Sequence, residues 1–463
     1  MNTLPPFTRR QVCASAAATV VAGWVTAAAA QTPTPARPVA APRWRNWSGL
    51  QQATPAAIAT PGSETELQAL LRAARGELRA VGSGHSFSAL VPTPGTLVSL
   101  DRLSGLVSVD KAAGTATVRA GTRLAVLAQA LDAQGLALRN LPDITMQTLA
   151  GALATGTHGT GATLPALHAD VLALRLVGAD GRLVELDERR DPQALAAARV
   201  SLGSLGVATQ YTLRVVPAYA LERKVWLRPV DRLLEEAPAL AASYRHFELF
   251  VLPFTGYAAA VAHAPYAGSD VVTPRPADDT VLADLKRLRD WLGRFPVLRS
   301  WAAQRLIDPQ QTEHARDRGY RLLSTTRSVR FNETEWHLPA ERGLDGLRAV
   351  IAEIERHHDA FFPIEMRWVR RDEAWLSPFH GRDSCSIALH AAADEEHETL
   401  VREGSRICLA HGGRPHWGKL HTLGATELAA LYPRWADFGR VRREFDPQGR
   451  FLNTHLRQVF GLA

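Results

Sequence analysis

Cysteine is scarce in this chain, with three in 463 residues, too few for a scaffold stapled by disulfides. Cys13 lies near the N-terminus, which leaves Cys385 and Cys408 as a pair for which a disulfide is chemically permitted in an oxidising compartment. After residue 30 no apolar run is long enough to span a membrane as a helix. Long basic runs are missing too. The 53 Lys and Arg against 46 Asp and Glu leave a formal charge of +7 spread along the chain, so no nucleic-acid partner is expected. Neither a His-Glu-x-x-His run nor a Gly-x-x-x-x-Gly-Lys-Ser/Thr run occurs, which removes the two commonest signatures of zinc peptidases and nucleotide hydrolases. His416 and His421 have no carboxylate or Cys partner at zinc-site spacing, and no metal is expected. What remains is an ordinary globular composition, 46% hydrophobic and 21% charged, long enough for two or three domains with a sizeable core.

The first thirty residues have the form of an export signal. Thr8-Arg9-Arg10-Gln11-Val12 supplies a twin arginine, Val12 to Val25 a weakly apolar Ala-rich core, and Ala28-Ala29-Ala30 a small-residue cleavage site. This predicts a periplasmic or secreted protein exported already folded. A signal left uncleaved would instead associate the chain with the membrane, although Gly23 and Thr26 interrupt the apolar core. Residues 31–43 read as a Pro-rich extended linker.

From Trp44 the pattern is mixed α and β. Ser63-Glu64-Thr65-Glu66 is a capping box, and Leu67, Leu70, Leu71 and Ala74 follow at helical spacing. Short strands are predicted at Thr96–Leu100, Leu106–Val109 and Thr115–Arg119, then a helix capped by Thr122 with Leu124, Leu127, Ala128 and Leu131 on one stripe. Val171–Val177 and Arg182–Leu186 read as a hairpin, and Leu202-Gly203-Ser204-Leu205-Gly206-Val207 opens a strand that ends near Val216. Beyond Pro217 the spacing changes. Strands are predicted at Phe247–Leu252, Arg327–Phe331, Ile364–Val369 and Ser386–His390, with helices Gly346–His357 and Asp394–His411 between them, which suits an antiparallel sheet with helices on one side.

Chemistry concentrates first at Val81-Gly82-Ser83-Gly84-His85-Ser86-Phe87-Ser88, where two glycines allow close backbone approach to an anion such as a pyrophosphate and an imidazole sits beside it. A second run, Ala154-Thr155-Gly156-Thr157-His158-Gly159-Thr160-Gly161, repeats the Gly, Thr and His chemistry. In Pro363-Ile364-Glu365-Met366-Arg367-Trp368, strand alternation puts Glu365 and Arg367 on one face and Ile364, Met366 and Trp368 on the other. Arg414-Pro415-His416-Trp417-Gly418-Lys419 forms a further polar constellation.

Together these stretches resemble the sugar-lactone and alditol oxidases of the vanillyl-alcohol-oxidase superfamily, over nearly all of the chain after about residue 44. The resemblance implies an α+β protein: a two-subdomain FAD-binding domain at 44–217, an α+β cap with an antiparallel sheet at 218–431, and a tail, 432–463, that returns to the FAD domain. It places FAD contacts on Val81, Gly82, Ser83, Gly84, His85 and Ser86, with His85 bonded covalently to the flavin. Further FAD contacts fall on Pro142, Asp143, Gly151, Gly156, Thr157, His158, Gly159, Gly161, Gly206, Val207 and Lys419. The family's catalytic Glu-x-Arg strand falls on Glu365 and Arg367, its Arg-Pro-His-Trp-Gly-Lys motif puts Lys419 near the flavin or substrate, and a substrate-facing cap histidine matches His390. His246-Phe247-Glu248-Leu249-Phe250 matches a segment whose role there is structural. Two departures matter: Ala392 stands where alditol oxidases have Thr, which favours a lactone. Pro142 and Asp143 replace residues beside the reactive flavin edge, which bears on oxygen reactivity.

The implied activity is hydride transfer from a carbinol of a sugar 1,4-lactone, of the D-arabinono or L-gulono type, to flavin N5, with O2 as acceptor giving hydrogen peroxide. The alternatives are an alditol oxidase and a lactone dehydrogenase with another electron acceptor. Outside that class stand a flavin carrier without turnover and an oxidase of aromatic alcohols, which assays on lactones and phenols would separate.

Overall fold

The computed structural model describes residues 42–462 apart from 275–278, 307, 326–328 and 357–359, so the expected export signal and nearly all of the linker lie outside the described residues. The expected α+β architecture is present. Besides two two-stranded pairs, Trp44–Arg45 with Gln52–Ala53 and Leu136–Ala137 with Val216–Pro217, the described N-terminal half holds two larger sheets. Leu78–Val81 and Ala57–Ala59 flank Thr96–Ser99 in parallel, bridged by the helix Glu64–Ala73. Ser63 Oγ accepts from the Glu66 amide at 3.1 Å, as the capping box predicts. The second sheet is antiparallel, in the order Leu183–Asp187, Val171–Val177, Val207–Arg214, Thr115–Arg119, Leu106–Asp110. One helix start differs from expectation. The helix Leu124–Asp132 buries its predicted stripe, but Thr122 does not cap it; its hydroxyl donates to Arg119 O at 2.6 Å and accepts from Gly105 N at 2.8 Å, closing the preceding turn instead.

The second half is built on one large sheet. Its main path runs Thr312–Arg318, Ala220–Pro229, Tyr257–Tyr266, His246–Leu252, Ile364–Arg370, Ser384–Ala392, Phe331–Pro339 and Arg414–Pro415, antiparallel throughout. A short strand from the other half, Gly161–Pro165, joins it in parallel beside Ile364–Arg370. Alternation gives this sheet two unlike faces. Phe247, Leu249, Met366, Ile387 and Trp336 point one way and share a core with Leu233, Leu234, Leu347, Val350, Ile407 and Cys408 of the helices Val230–Ser243, Ala340–Ile354 and Glu398–Ala410. The charged residues point the other way.

Further elements begin elsewhere than predicted; the helix expected from Asp394, for one, starts at Glu398. Of the expected strand Arg327–Phe331, residues 327 and 328 lie outside the described residues, and the strand that forms runs Phe331–Pro339. The helix expected from Gly346 already starts at Ala340, directly after Pro339, with Gly343 and Gly346 inside it. Both glycines sit where the helix presses on the sheet: a Cβ on Gly343 would lie 2.5 Å from Cys385 Cβ, and one on Gly346 2.2 Å from a Leu338 methyl. Close packing, not a turn, accounts for them. Cys385 and Cys408 are both free and buried, without the disulfide that an oxidising compartment would permit, and burial pushes both thiols well above their ordinary range. The tail residues Phe438, Val441, Phe451 and Leu456 pack in the same core as Leu67, Val98, Val118 and Leu176.

Candidate active site

A cavity runs along the first glycine run and ends at the polar face of the large sheet. Val81, Gly82, Ser83, Gly84, His85 and Ser86 all line it, as do Gly151, Gly206, Val207 and Lys419. Gly84 sits at φ +69°, a left-handed turn that carries His85 into the cavity wall. Gly82 is needed for space, since a Cβ there would lie 2.2 Å from Thr148 Oγ1. Stacked on Trp47 at 5.4 Å, His85 has its pKa lowered to about 4 by burial and then by the charges of Lys419 and Arg123.

The cavity fits FAD by its own chemistry. Arg79 lines it buried, and among the described residues its guanidinium donates only to carbonyls: Leu90 O at 2.8 Å, Leu202 O at 2.9 Å, Gly203 O at 3.2 Å and Phe451 O at 2.6 Å. Burial pulls its pKa to about 10 although Glu77 opposes this. A buried cation hydrogen-bonded to no carboxylate suits a ligand that brings negative charge, as a pyrophosphate does. The walls are otherwise mostly apolar and backbone, as an isoalloxazine and an adenine require.

The second glycine run does different work. Only Ala154 and Thr155 reach the cavity. Gly156, at φ +81°, ends the helix Leu149–Thr155 and faces Pro378. Thr157 is buried, Gly159 packs on Asn140 and Leu141, and Gly161 opens the strand that joins the large sheet. His158 bonds Glu335 Oε1 through Nε2 at 2.8 Å and Gly159 O through Nδ1 at 2.8 Å. The run therefore ties the first half to the polar face of the cap sheet. Pro142 and Asp143 do not line the cavity either; Asp143 meets Thr325 Oγ1 at 2.5 Å and adds negative charge near Arg367.

Register lays out the polar face in rows. One row reads Glu248, Arg367, Ser386, His337 across four strands; the next reads Phe250, Glu365, Ala388, Glu335; in the third His390 stands opposite Glu333. Arg367 Nε donates to Glu248 Oε2 at 2.7 Å and its Nη2 contacts Glu365. Burial lowers its pKa, but attraction to Glu365, Glu248 and Asp143 outweighs this and holds the guanidinium well above its ordinary value. At the other end Lys419 Nζ contacts Glu333 and stands 3.7 Å from Glu335 Oε2. His390 Nε2 lies 3.7 Å from Glu333 Oε1, and its ring meets Phe331 edge-on at 4.8 Å. Glu365 and Glu335 are thus two strands apart, about 10 Å between backbones, with the small Ala388 between them.

The segment His416–Leu420 connects this face to the glycine loop. His416 N donates to Glu335 O at 3.0 Å and Leu420 N to Glu333 O at 3.0 Å, while Phe87 N donates to Gly418 O at 2.7 Å and Ser88 Oγ to Trp417 O at 2.7 Å. His416 accepts from Gly418 N through Nδ1, and burial first, then Lys419 and the neighbouring imidazoles, bring its pKa down to about 3 against the pull of Glu335. Donor atoms of His158, Glu335 and His337 lie within 4.8 Å of one another, with the His158–Glu335 hydrogen bond occupying two of them. Burial outweighs the contrary pull of Glu335 on His337, whereas for Glu335 it is His158 and Lys419 that outweigh burial, so both pKa values are lowered.

Two carboxylates escaped the sequence reading, Glu333 and Glu335, and a third, Glu248, was assigned a structural role without its contact to Arg367. The pair on one strand is the more legible, since Glu333 and Glu335 alternate with Thr334, Trp336 and Leu338, a period-two pattern that identifies a strand with a charged face.

Comparison with known proteins agrees with this anatomy. Residues 211–459 match the family model described as D-arabinono-1,4-lactone oxidase, and 55–187 match an FAD binding domain model. An L-gulono-1,4-lactone dehydrogenase of Mycobacterium tuberculosis is 37% identical over 91% of this chain and 99% of its own length. An alditol oxidase of a Streptomyces species is 34% identical over 89% and 98%, and the L-gulonolactone oxidase of Mus musculus 28% over 90% and 98%. In fold, a solvent-stable cholesterol oxidase superposes with a TM-score of 0.76 at 17% identity, covering 90% of this chain and 97% of that one. The cavity, the polar cap face beside it and the match across both halves place this chain in the FAD-dependent sugar-lactone oxidase and dehydrogenase family, with D-arabinono-1,4-lactone oxidase as its family model.

Proposed function

We propose that the chain oxidises a carbinol of a sugar 1,4-lactone of the D-arabinono or L-gulono type. The observation that carries this reading is the polar cap face, whose Glu333 and Lys419 line the same cavity as His85, with Glu335 beside them and Glu365 and Arg367 on the far side of Ala388. FAD, when bound, supplies the two-electron acceptor that takes hydride from the carbinol carbon. The chain supplies orientation and charge. Arg367 is fixed by Glu248 and Glu365, leaving its Nη1 donors for lactone oxygens. Glu365 and Glu333 are the carboxylates of this face toward which the hydroxyl proton leaves, and Lys419 provides positive charge at the end next to the glycine loop. His390, held near Glu333, is the further polar contact for a ring hydroxyl. A flavin carrier without turnover has no use for this many desolvated charges.

The same reading makes His85 the covalent attachment point. Its imidazole is neutral above about pH 4, so a ring nitrogen would be able to hold the flavin through its 8α carbon; the 8α C–H bond would break with its hydrogen leaving as a proton, and the two electrons left on the flavin would pass to the same terminal acceptor. O2 is that acceptor here and is reduced to hydrogen peroxide. A second reading, a dehydrogenase with another acceptor, is favoured by the 37% identity to the mycobacterial protein of that name. Anaerobic mixing of the yellow protein with a panel of lactones, polyols and phenols tests the substrate class, because bleaching by phenols alone removes it. Admission of air then separates the two acceptors. We propose export by the twin-arginine route with cleavage near Ala30, supported by Arg9-Arg10 and the Ala-rich core; mature periplasmic protein beginning at Met1 would refute it.

A further inference from the structure

The cap carries one helix whose polarity is inverted. In Pro296–Leu306 one arginine, Arg299, is inside and three large apolar residues are outside: Arg299 is 1% exposed, whereas Val297 is 81%, Leu298 52% and Trp301 55% exposed. The preceding helix, Asp279–Leu292, and the turn after it add Trp291 at 81% and Phe295 at 58%. Five large apolar side chains within eleven residues, all on the outside of one hairpin, form a patch that water does not favour, and a patch of this kind marks an interaction site.

The hairpin is anchored by its cations. Arg299 sits over the Phe254 ring at 3.9 Å and donates to Ala360 O at 2.6 Å. Arg289 makes two hydrogen bonds to Glu395, at 2.6 and 2.8 Å, and lies over Phe361 at 4.4 Å. The exposed apolar edge is therefore presented on a fixed support. Between Trp291 and Arg305 there are three arginines, Arg294, Arg299 and Arg305, and no acid, while the adjoining Asp290 and Asp284 are paired with Lys286 and Arg287. Arg294 and Arg305 are exposed at the edge of the patch, and Arg305 lies over the Trp301 ring at 3.8 Å.

Exposed tryptophan and phenylalanine beside arginine, as along residues 291–305, is the side-chain mixture that suits the headgroup level of a bilayer, where an aromatic ring meets the acyl boundary and a guanidinium meets lipid phosphate. We propose that the 291–305 hairpin edge docks the folded enzyme on an anionic lipid surface. The interaction is peripheral and reversible, and it does not depend on the N-terminal segment. It rests on the described fold and not on the lactone reading, so either can fail alone.

The test uses the FAD-loaded full chain in cosedimentation with vesicles of phosphatidylcholine alone and of phosphatidylcholine mixed with phosphatidylglycerol. Wild type should bind the mixed vesicles more tightly by about 25-fold, at roughly fivefold for each exposed arginine, and salt should weaken the difference. Trp291→Ser with Phe295→Ser and Trp301→Ser should lose binding by about tenfold or more while turnover of the best soluble substrate is unchanged. Arg294→Gln with Arg305→Gln should abolish the preference for anionic vesicles. Undiminished binding by the triple variant would overturn the proposal, because the N-terminal segment would then be the anchor. So would a wild type that ignores vesicles but forms a dimer that the triple variant abolishes, since the patch would then be covered by a second copy.

Discussion

Arg367→Lys keeps a positive charge in the site and removes its fork, which makes it the most direct test of how the cap face works. In the wild type Nε donates to Glu248 Oε2 at 2.7 Å while Nη2 contacts Glu365. One ammonium cannot occupy both positions, so one charge-assisted hydrogen bond is lost, worth roughly 1.5–3 kcal/mol. If that bond orients the arginine toward the reacting oxygen, its loss appears in the barrier as about a 10- to 150-fold slower hydride transfer. Glu248→Gln is the companion change, because it preserves the shape and an acceptor oxygen and removes only the charge. Charge-assisted bonds are about twice as strong as neutral ones, so this positioning residue should cost roughly 1 kcal/mol, or about fivefold in rate, without loss of flavin. Rescue follows the same logic, since Glu248→Asp should recover part of the rate that Glu248→Gln loses. Stopped-flow flavin reduction without oxygen measures all of these, with the limiting rate separated from substrate affinity by varying the lactone. A limiting rate for Arg367→Lys within about twofold of wild type, alongside a slow Lys419→Ala, would place Arg367 outside the reacting centre.

Glu365→Gln and Lys419→Ala should each slow flavin reduction by about 100-fold or more, in line with removal of a proton acceptor or of a charge aimed at developing charge, while Glu365→Gln protein stays yellow; wild-type rates in both would remove this face from the reaction. Acid precipitation should leave yellow colour in the wild-type pellet and, for His85→Ala, in the supernatant; wild-type colour wholly in the supernatant would refute the covalent bond and leave FAD binding intact. Acid stability provides a further check. Burial lowers the folded-state pKa of His416 to about 3 and those of His263, His421 and His455 to about 4, each from 6.5. The unfolded chain therefore takes up protons first as pH falls. The stability these imidazoles contribute is complete above about pH 6.5 and is lost between there and about pH 4, or about pH 3 for His416, by at most ~1.4 kcal/mol per group per pH unit. Thermal midpoints of the FAD-loaded protein at pH 7 and pH 5 should differ accordingly, and equal midpoints would contradict the burial of these rings.

How much of this was readable in the residues depends on the range over which the cause acts. The Ser63 cap, the stripe of Leu124 and Leu127, and the opposite faces of Glu365 and Met366 are consequences of neighbouring residues, and the alternation and spacing predict them directly. Gly82, Gly84 and His85 stand out in company, because a glycine turn beside an imidazole is ordinary alone and becomes informative with the second glycine run and the Arg414–Lys419 motif. The misplacements arise where a distant partner decides. Thr122 spends its hydroxyl on the Arg119–Gly105 turn, and Gly343 and Gly346 look like helix breakers until Cys385 and Leu338 are seen against them. Glu333 and Glu335 were missed because the strand was expected to end at Phe331, before its charged face begins. Glu248 shows the limit most plainly: its segment was legible, and its role was not. What makes it a positioning residue is the register that sets it opposite Arg367, a residue 119 positions away in the chain. In the same way the second glycine run has the composition of an anion-binding loop, yet the register of Gly161 against Val369 and the bond from His158 to Glu335 turn it into the joint between the flavin cavity and the cap. Composition therefore identifies which groups are able to do chemistry, and strand register decides which of them meet.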